Sequence, residues 1–176
     1  AVILAYHVPP MKDKDYYAIQ MLTQLLSQGK SSRFQKAIVD QQQKALAVGA
    51  FALQNEDPGV AMMFGITNSG VTAEDLEKAM EAEVDKVVNN EISEEEYQKL
   101  INQAENDFVM QNQRSSGVVN NLATYYTFFK DANLINTELE KYRSITRADL
   151  KRVAAQYFTK NNRLVVYYLP KSMEKK

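Results

Sequence analysis

The order of the strand-like segments constrains this fold more than any other feature of the chain. Three lie towards the N-terminus, Ala1–Val8, Ala45–Leu53 and Val60–Thr67, and the fourth, Arg163–Leu169, lies near the C-terminus. Apolar residues at helical spacing fill most of the chain between the third and the fourth. Because a doubly wound parallel sheet would alternate strands and helices throughout, this order predicts an α+β fold, with helices covering one face of a mainly antiparallel sheet.

The second and third strands are expected to form an antiparallel hairpin. The link between them, Asn55–Gly59, is rich in residues that favour turns. On the third strand Met62, Phe64 and Ile66 share one face, because side chains alternate along a strand. A single apolar face of this kind is expected where helices cover one side of a sheet.

Two helices are expected after the first strand. Pro9-Pro10 ends that strand, since proline has no N–H to donate to a sheet. A helix is predicted over Asp13–Ser27, with Asp13 as its N-cap and Gly29 in the left-handed conformation after its end. A second, short amphipathic helix is predicted from Ser32 to about Val39.

Three later helices have recognisable starts. In each, a hydroxyl residue is followed three positions later by an acidic one, the pattern of a capping box. Ser115-Ser116-Gly117 predicts a break before a helix that carries Tyr125-Tyr126 and Phe128-Phe129, and a short helix is expected around Leu134–Tyr142. The aromatic residues are expected to lie half in the core and half at an interface. The three capping pairs are Thr72 with Asp75, Ser93 with Glu96, and Thr146 with Asp149.

Composition bounds the function as well as the fold. A chain of 176 residues suits one domain, and its net charge of -1 argues against nucleic acid as a partner. The apolar runs are too short for a membrane-spanning helix, and the absence of cysteine excludes disulfides and thiolate metal sites. Because the sequence opens directly on a strand without Met, we expect residues 1–176 to be a fragment of a longer polypeptide.

Residues that could carry chemistry are scarce. His7 is the only histidine, and neither H-x-x-E-H nor H-E-x-x-H occurs, so this chain is not expected to bind a catalytic metal. Gly29-Lys30-Ser31-Ser32 resembles part of a phosphate loop, but it follows a helix where such a loop follows a strand. The acidic run Ser93–Glu96 is explained by the positive end of a helix dipole. No cofactor is expected on this chain.

The segment Gly29–Phe51 resembles the C-terminal half of the pitrilysin-type zinc peptidases, the group of insulinase and the mitochondrial processing peptidase. In that family a G-x-S-S-R-(L/F) motif precedes a short helix and a strand, as Gly29-Lys-Ser-Ser-Arg-Phe34 does here. Other parts of the chain resemble the family in the same order. These are Leu4–Pro10, Ile92–Tyr97, Ile145–Phe158 and Asn162–Pro170.

The resemblance implies a non-catalytic half. Family members pair two similar halves around a chamber that holds an extended peptide, and one half holds zinc with H-x-x-E-H and a distant glutamate. The other half supplies an Arg and a Tyr, and the positions that match these are Val39 and Leu46, which cannot donate hydrogen bonds. Lys44 and Arg33 are nearby donors, and Lys44 is the better substitute because two residues along a strand keep the same face. Ile38, Val48 and Phe51 are expected to keep their core positions.

Three functions remain open at this stage. The resemblance favours the inactive half of a zinc endopeptidase, whose partners are an H-x-x-E-H domain, fused or separate, and an extended peptide. The alternatives are a structural or interaction protein of peptidase ancestry and a module that binds peptides by strand addition. The fragment could also form a homodimer, and the resemblance favours a bacterial cell envelope as its location.

Overall fold

The computed structural model describes residues 1–169, which form a four-stranded sheet with helices on one face. The strands are β1 Val2–Val8, β2 Ala45–Ala52, β3 Gly59–Thr67 and β4 Arg163–Tyr167. Every pair of neighbouring strands is antiparallel, and the order across the sheet is β2-β3-β1-β4. The predicted α+β class and the β2–β3 hairpin are therefore confirmed.

The helices form two layers. The α-helices are α1 Tyr16–Ser27, α2 Ala73–Asn89, α3 Glu94–Asn112, α4 Ser115–Thr124, α5 Leu134–Ser144 and α6 Arg147–Tyr157. Helices α1, α2 and α6 contact the sheet, and α3 and α5 pack against α1. Two π-helical segments, 35–41 and 125–129, and a 3₁₀ turn at 160–162 complete the described elements.

The strands bury one set of alternate residues against the helices. Leu4 and Tyr6 on β1 and Met63 on β3 are almost fully buried in this layer. Met62, Phe64 and Ile66 do share a face, as predicted, but it is the face that the helices leave uncovered. Phe51 also lies on that face and is 40% exposed, so its expected core position is wrong.

The first helix begins later than predicted. Asp13 does not cap it; its carboxylate accepts a hydrogen bond from the backbone N–H of Asp15 in the preceding turn, at 2.8 Å. Asp15 occupies the N-cap position, and its side chain makes no cap bond. Instead, Asp15 accepts two hydrogen bonds from Arg152 on α6, at 2.7 and 3.1 Å. The start of α1 is thus fixed by a contact with the far end of the sequence.

The short second helix is π-helical and ends later than predicted. It runs over Gln35–Gln41, and the backbone N–H of Gln42 reaches the carbonyl of Ala37, five residues back, at 3.1 Å. Its wider turn still buries Ile38 completely, as expected. The segment therefore keeps its predicted place in the core with a different hydrogen-bond pattern.

Two of the three predicted capping boxes are complete, at Ser93–Glu96 and Thr146–Asp149. At the third, the Thr72 hydroxyl accepts from the backbone N–H of Asp75 at 3.1 Å. A break is also present, but it lies at residues 113–114, and Ser115-Ser116-Gly117, the predicted break, form the first turn of α4. Gly117 permits the break, because a Cβ at this position would lie 1.7 Å from the backbone oxygen of Gln111.

Candidate functional site

The described residues do not fit a catalytic zinc site. His7 lies near the end of β1, opposite Val60, with an exposed side chain. Among residues 1–169, no three His, Cys, Asp or Glu side chains form a group that could hold a metal ion. A zinc-bound water needs about three protein ligands. No catalytic step is therefore assigned to a metal on this part of the chain.

The positions that match the family Arg and Tyr lie on separate elements. Val39 belongs to the π-helical segment Gln35–Gln41 and packs partly buried against the core. Leu46 lies at the start of β2, where the pairing with β3 is irregular, and its side chain is 65% exposed. Neither side chain has a donor, so neither can replace the hydrogen bonds of the family Arg and Tyr side chains.

The two substitute donors, Arg33 and Lys44, differ in whether they already pair with an acidic side chain. Arg33 donates to both carboxylate oxygens of Glu96, at 2.8 and 2.9 Å. Its guanidinium lowers the pKa of Glu96 more than any other group. Lys44 precedes β2, is half-buried and makes no salt bridge with the described residues. Lys44 is therefore the freer donor, and Arg33 has a structural role.

One face of the sheet is apolar, and none of the described helices lies on it. Two cross-strand rows define this uncovered face: Phe51, Met62, Ala5 and Leu164, then Gly49, Phe64, Ile3 and Val166. Leu164 is 64% exposed, and Phe64 contacts Phe51 edge-on at 6.5 Å between ring centroids. Contiguous exposed apolar surface of this kind marks a site of interaction.

The edge of the sheet at β2 is partly occupied by side chains of α1. The Ser27 hydroxyl donates to the carbonyl of Ala50 at 2.9 Å, and the Gln20 amide donates to the carbonyl of Ala52 at 3.3 Å. These two carbonyls would otherwise be open to an added strand. Strand addition at this part of β2 is thus opposed by contacts within the domain.

A polar cleft of about 330 Å³ opens between α1, α3, α4, α5 and the end of β2. Aromatic rings from four elements line it, and two carboxylates, Asp107 and Glu138, face it. Glu138 accepts hydrogen bonds from the hydroxyl of Tyr17, at 3.3 Å, and from that of Tyr125. Sequence reasoning missed this cleft, and only the aromatic run at Tyr125 pointed to it.

Burial raises the pKa values of the phenols around this cleft. It raises the pKa of Tyr16 to about 12 and raises the pKa values of Tyr17, Tyr125 and Tyr142 as well, with the charge of Glu138 acting in the same direction. The tyrosines, neutral at pH 7 already with an ordinary pKa, therefore remain hydrogen-bond donors in alkaline solution as well. Of the predicted aromatic pair, Tyr125 is buried and Tyr126 is 65% exposed.

The sequence matches the peptidase M16 inactive domain over residues 1–104. The chain belongs to this family. The predicted resemblance to the C-terminal, inactive half of the pitrilysin-type peptidases is confirmed, and with it the α+β architecture and the zinc-protease relationship.

One curated relative and one solved structure support this assignment. The M16 inactive domain is 32% identical to the zinc protease PqqE of Helicobacter pylori over 96% of its own length, and it spans 38% of the length of that protease. It also resembles the crystal structure of a protease from Helicobacter pylori, with a TM-score of 0.89 and 30% identity over 96% of this chain and 41% of the other.

A third relative has nearly the same extent. The inactive peptidase domain of a candidate zinc protease from Bordetella parapertussis shares the fold with a TM-score of 0.86, at 19% identity, over 99% of this chain and 94% of the other.

Within residues 1–169 of the M16 inactive domain, no helix is both long and apolar enough to cross a membrane.

Proposed function

We propose that this M16 inactive domain is the non-catalytic half of a zinc metalloendopeptidase. It packs against a domain or subunit that carries H-x-x-E-H, and the two close a chamber around an extended peptide. Zinc and its activating glutamate are supplied by that catalytic half. The uncovered face of the sheet is the observation that carries this proposal.

The uncovered face fits a partner domain because it is extensive, apolar and lacks a cover from the described helices. Side chains such as Ile66, 45% exposed, and Val166, 40% exposed, lose contact with water only when another surface lies on them. The relative PqqE is a zinc protease with more than twice the length of this chain. A second domain in a protein of that size can supply both the missing surface and the missing metal ligands.

The scarcity of metal ligands also supports a non-catalytic role for this domain, with zinc held by the partner. His7 is the only imidazole in the sequence, and it lies apart from any acidic cluster among residues 1–169. Val39 and Leu46 cannot stabilise negative charge on a substrate carbonyl with their side chains. The role of the domain is then to enclose and position the peptide, with Lys44 as the available donor near the matched positions.

Reconstitution with a catalytic partner tests the proposal. An H-x-x-E-H-bearing M16 chain from the same genome is mixed with the purified 176-residue chain, zinc and an unstructured peptide, and complex formation and hydrolysis are measured. We expect a stable complex that cleaves the peptide, and no hydrolysis by the 176-residue chain alone. Chelator-sensitive hydrolysis that follows the purified chain would overturn the non-catalytic assignment.

Charged substitutions on the uncovered face distinguish specific docking from nonspecific association. Leu164→Glu and Ile66→Glu place a carboxylate on the uncovered face and are expected to abolish complex formation. Val109→Glu on α3 is the matched control, because Val109 is 53% exposed and lies outside the sheet. Equal loss in the control, or unchanged assembly in the two sheet variants, would contradict docking through this face.

A further inference from the structure

We infer that the polar cleft binds a cationic side chain, the guanidinium of Arg or the ammonium of Lys, carried by a peptide. The first step is the charge of its walls. Asp107 on α3 and Glu138 on α5 line the cleft, and no Lys, Arg or His among residues 1–169 does. Within these residues the cleft therefore carries negative charge without a counter-ion in its lining.

These two carboxylates differ from most other shielded acids of the domain. Asp15, Glu83 and Glu96, for example, each pair with a Lys or Arg within 3 Å. In the part of the chain that the structure describes, neither Asp107 nor Glu138 has a cation within 4.0 Å. A half-buried carboxylate is stabilised most by a cation that also donates hydrogen bonds to it.

The nearest cation along the helix is directed elsewhere. Lys141 lies one turn after Glu138, but its ammonium sits over the rings of Tyr17 and Phe129, at 5.4 and 5.5 Å from their centroids. It lines a separate cavity with Met11 and Lys12. The charge of Glu138 is thus left for an external group.

Aromatic walls suit the same ligand. The rings of Tyr16, Phe108, Tyr125 and Tyr142 line the cleft, and the negative faces of such rings attract ammonium and guanidinium groups. The side-chain oxygen of Gln24, also in the lining, is buried and accepts no hydrogen bond from any group within residues 1–169. Carboxylates, ring faces and a vacant acceptor together match the five N–H donors of a guanidinium.

The position of the cleft connects it to a peptide. Ala52 and Gln54, at the end of β2, form part of its wall, so an extended chain passing this corner of the sheet can place one side chain inside. The volume of about 330 Å³ lies at the lower end of the usual range for ligand pockets and admits one long side chain. That the cation comes on a peptide rests on the proposed function, whereas the preference for a cation does not.

Fluorescence anisotropy with labelled peptides tests the inference on the 176-residue chain. The probes are short Ala/Ser peptides that differ only at one central residue, Arg, Lys, citrulline or Glu. Citrulline keeps the shape of Arg without its charge. We expect the Arg peptide to bind at least about tenfold more tightly than the citrulline peptide, the size of one charge-assisted hydrogen bond. Equal affinities would overturn the inference.

Substitutions locate the binding. Glu138→Gln and Asp107→Asn are each expected to weaken the Arg peptide by about tenfold, while Glu140→Gln on the exposed side of α5 leaves it unchanged. Asp107→Asn is the second variant should Glu138→Gln fail to fold, since among the described residues Asp107 accepts one hydrogen bond, from Gln28 at 3.2 Å. Equal losses in Glu140→Gln would mean general charge attraction and would refute the site.

A free cation distinguishes the two sources of the ligand. Agmatine carries the guanidinium without a peptide, and its binding is followed by the fluorescence of the tyrosines. Agmatine binding as tight as the Arg peptide would overturn the peptide assignment, and much weaker binding supports it. If the Arg preference is absent but the catalytic complex assembles, only this inference fails and the proposed function stands.

Discussion

Arg33 holds Glu96 through both of its carboxylate oxygens, and Glu96 in turn closes the capping box that starts α3. The two Arg33 hydrogen bonds measure 2.8 and 2.9 Å, and the carboxylate also accepts from the backbone N–H of Ser93 at 3.1 Å. Arg33 therefore fixes the approach of the π-helical segment to α3. Arg33, the weaker of the two substitute donors that the sequence offers, is thus engaged in a structural contact.

Removal of Arg33 should make the free energy of unfolding fall less between pH 7 and pH 3. The folded pKa of Glu96 lies below its unfolded value of about 4.3, so its stabilising effect is present above that pH and is lost as the pH falls through the folded pKa. We expect Arg33→Gln to lower the free energy of unfolding by only about 1 kcal/mol at pH 7, because both partners are partly exposed. The loss should be smaller at pH 3, because the ionised form of Glu96 then contributes less to stability. Urea unfolding at both values measures this, with Lys30→Gln as control. A cost that is the same at both values would contradict it.

The complete capping boxes should each contribute measurably to stability. Ser93→Ala and Thr146→Ala leave a helix-terminal N–H without its partner and are expected to lower the free energy of unfolding by about 1 kcal/mol each. Ser116→Ala is the control, since Ser116 is exposed and its hydroxyl makes no hydrogen bond with the described residues. Chemical denaturation compares the three. A control as destabilised as the cap variants would refute the assignment.

Gly117 should tolerate no larger residue. A Cβ there would lie 1.7 Å from the backbone oxygen of Gln111, and backbone cannot move aside as a flexible side chain can. We expect Gly117→Ala to cost about 1 to 3 kcal/mol and to shift the start of α4. Thermal unfolding measures the loss, and hydrogen exchange at α4 reports the shift. Unchanged stability would mean that the break is not held by this contact.

The two positions that match the family donors should respond differently to the family residues. Leu46→Tyr places a ring on an exposed strand position and is expected to change stability by less than about 0.5 kcal/mol. Val39→Arg places charge against the core and is expected to cost more than about 1 kcal/mol. Calorimetry of both variants tests this contrast. A tolerated arginine at Val39 would indicate that the position can open towards a substrate.

The helix starts could be predicted from the sequence because their contacts are local. Ser93 and Glu96 lie three residues apart, so their reciprocal bonds leave a readable pattern. The start of α1 has no such pattern, since Asp15 is held by Arg152, far away in the sequence. The π-helical bonding of Gln35–Gln41 was missed for a related reason, because spacing alone does not separate wide turns from ordinary ones.

The faces of the strands were harder to assign because both are apolar. On β3, Ala61 and Met63 are buried under helices while Met62 and Phe64 face outwards, and all four would suit a core. Alternation of polar and apolar residues, the usual signal for orientation, is therefore absent. The uncovered face follows only from the positions of α1, α2 and α6 over the other side.

The candidate cleft could not be predicted because its parts are far apart in sequence. Tyr17 and Glu138 meet through a hydrogen bond of 3.3 Å, although they belong to α1 and α5. Glu138 and Asp107 also look like ordinary surface acids in an amphipathic helix. Only the packing of α3 and α5 on α1 brings their carboxylates beside the aromatic rings.

The bonds from Ser27 and Gln20 to the rim of β2 bear on how a solitary copy behaves in solution. A domain with bare apolar sheet surface is prone to ordered fibril growth, in which each copy extends the sheet of the last. Because the carbonyls of Ala50 and Ala52 already accept donors from α1, that direction of growth is blocked there. A second copy is therefore hindered from extending the sheet through this part of β2, while the uncovered face stays available to a different partner domain.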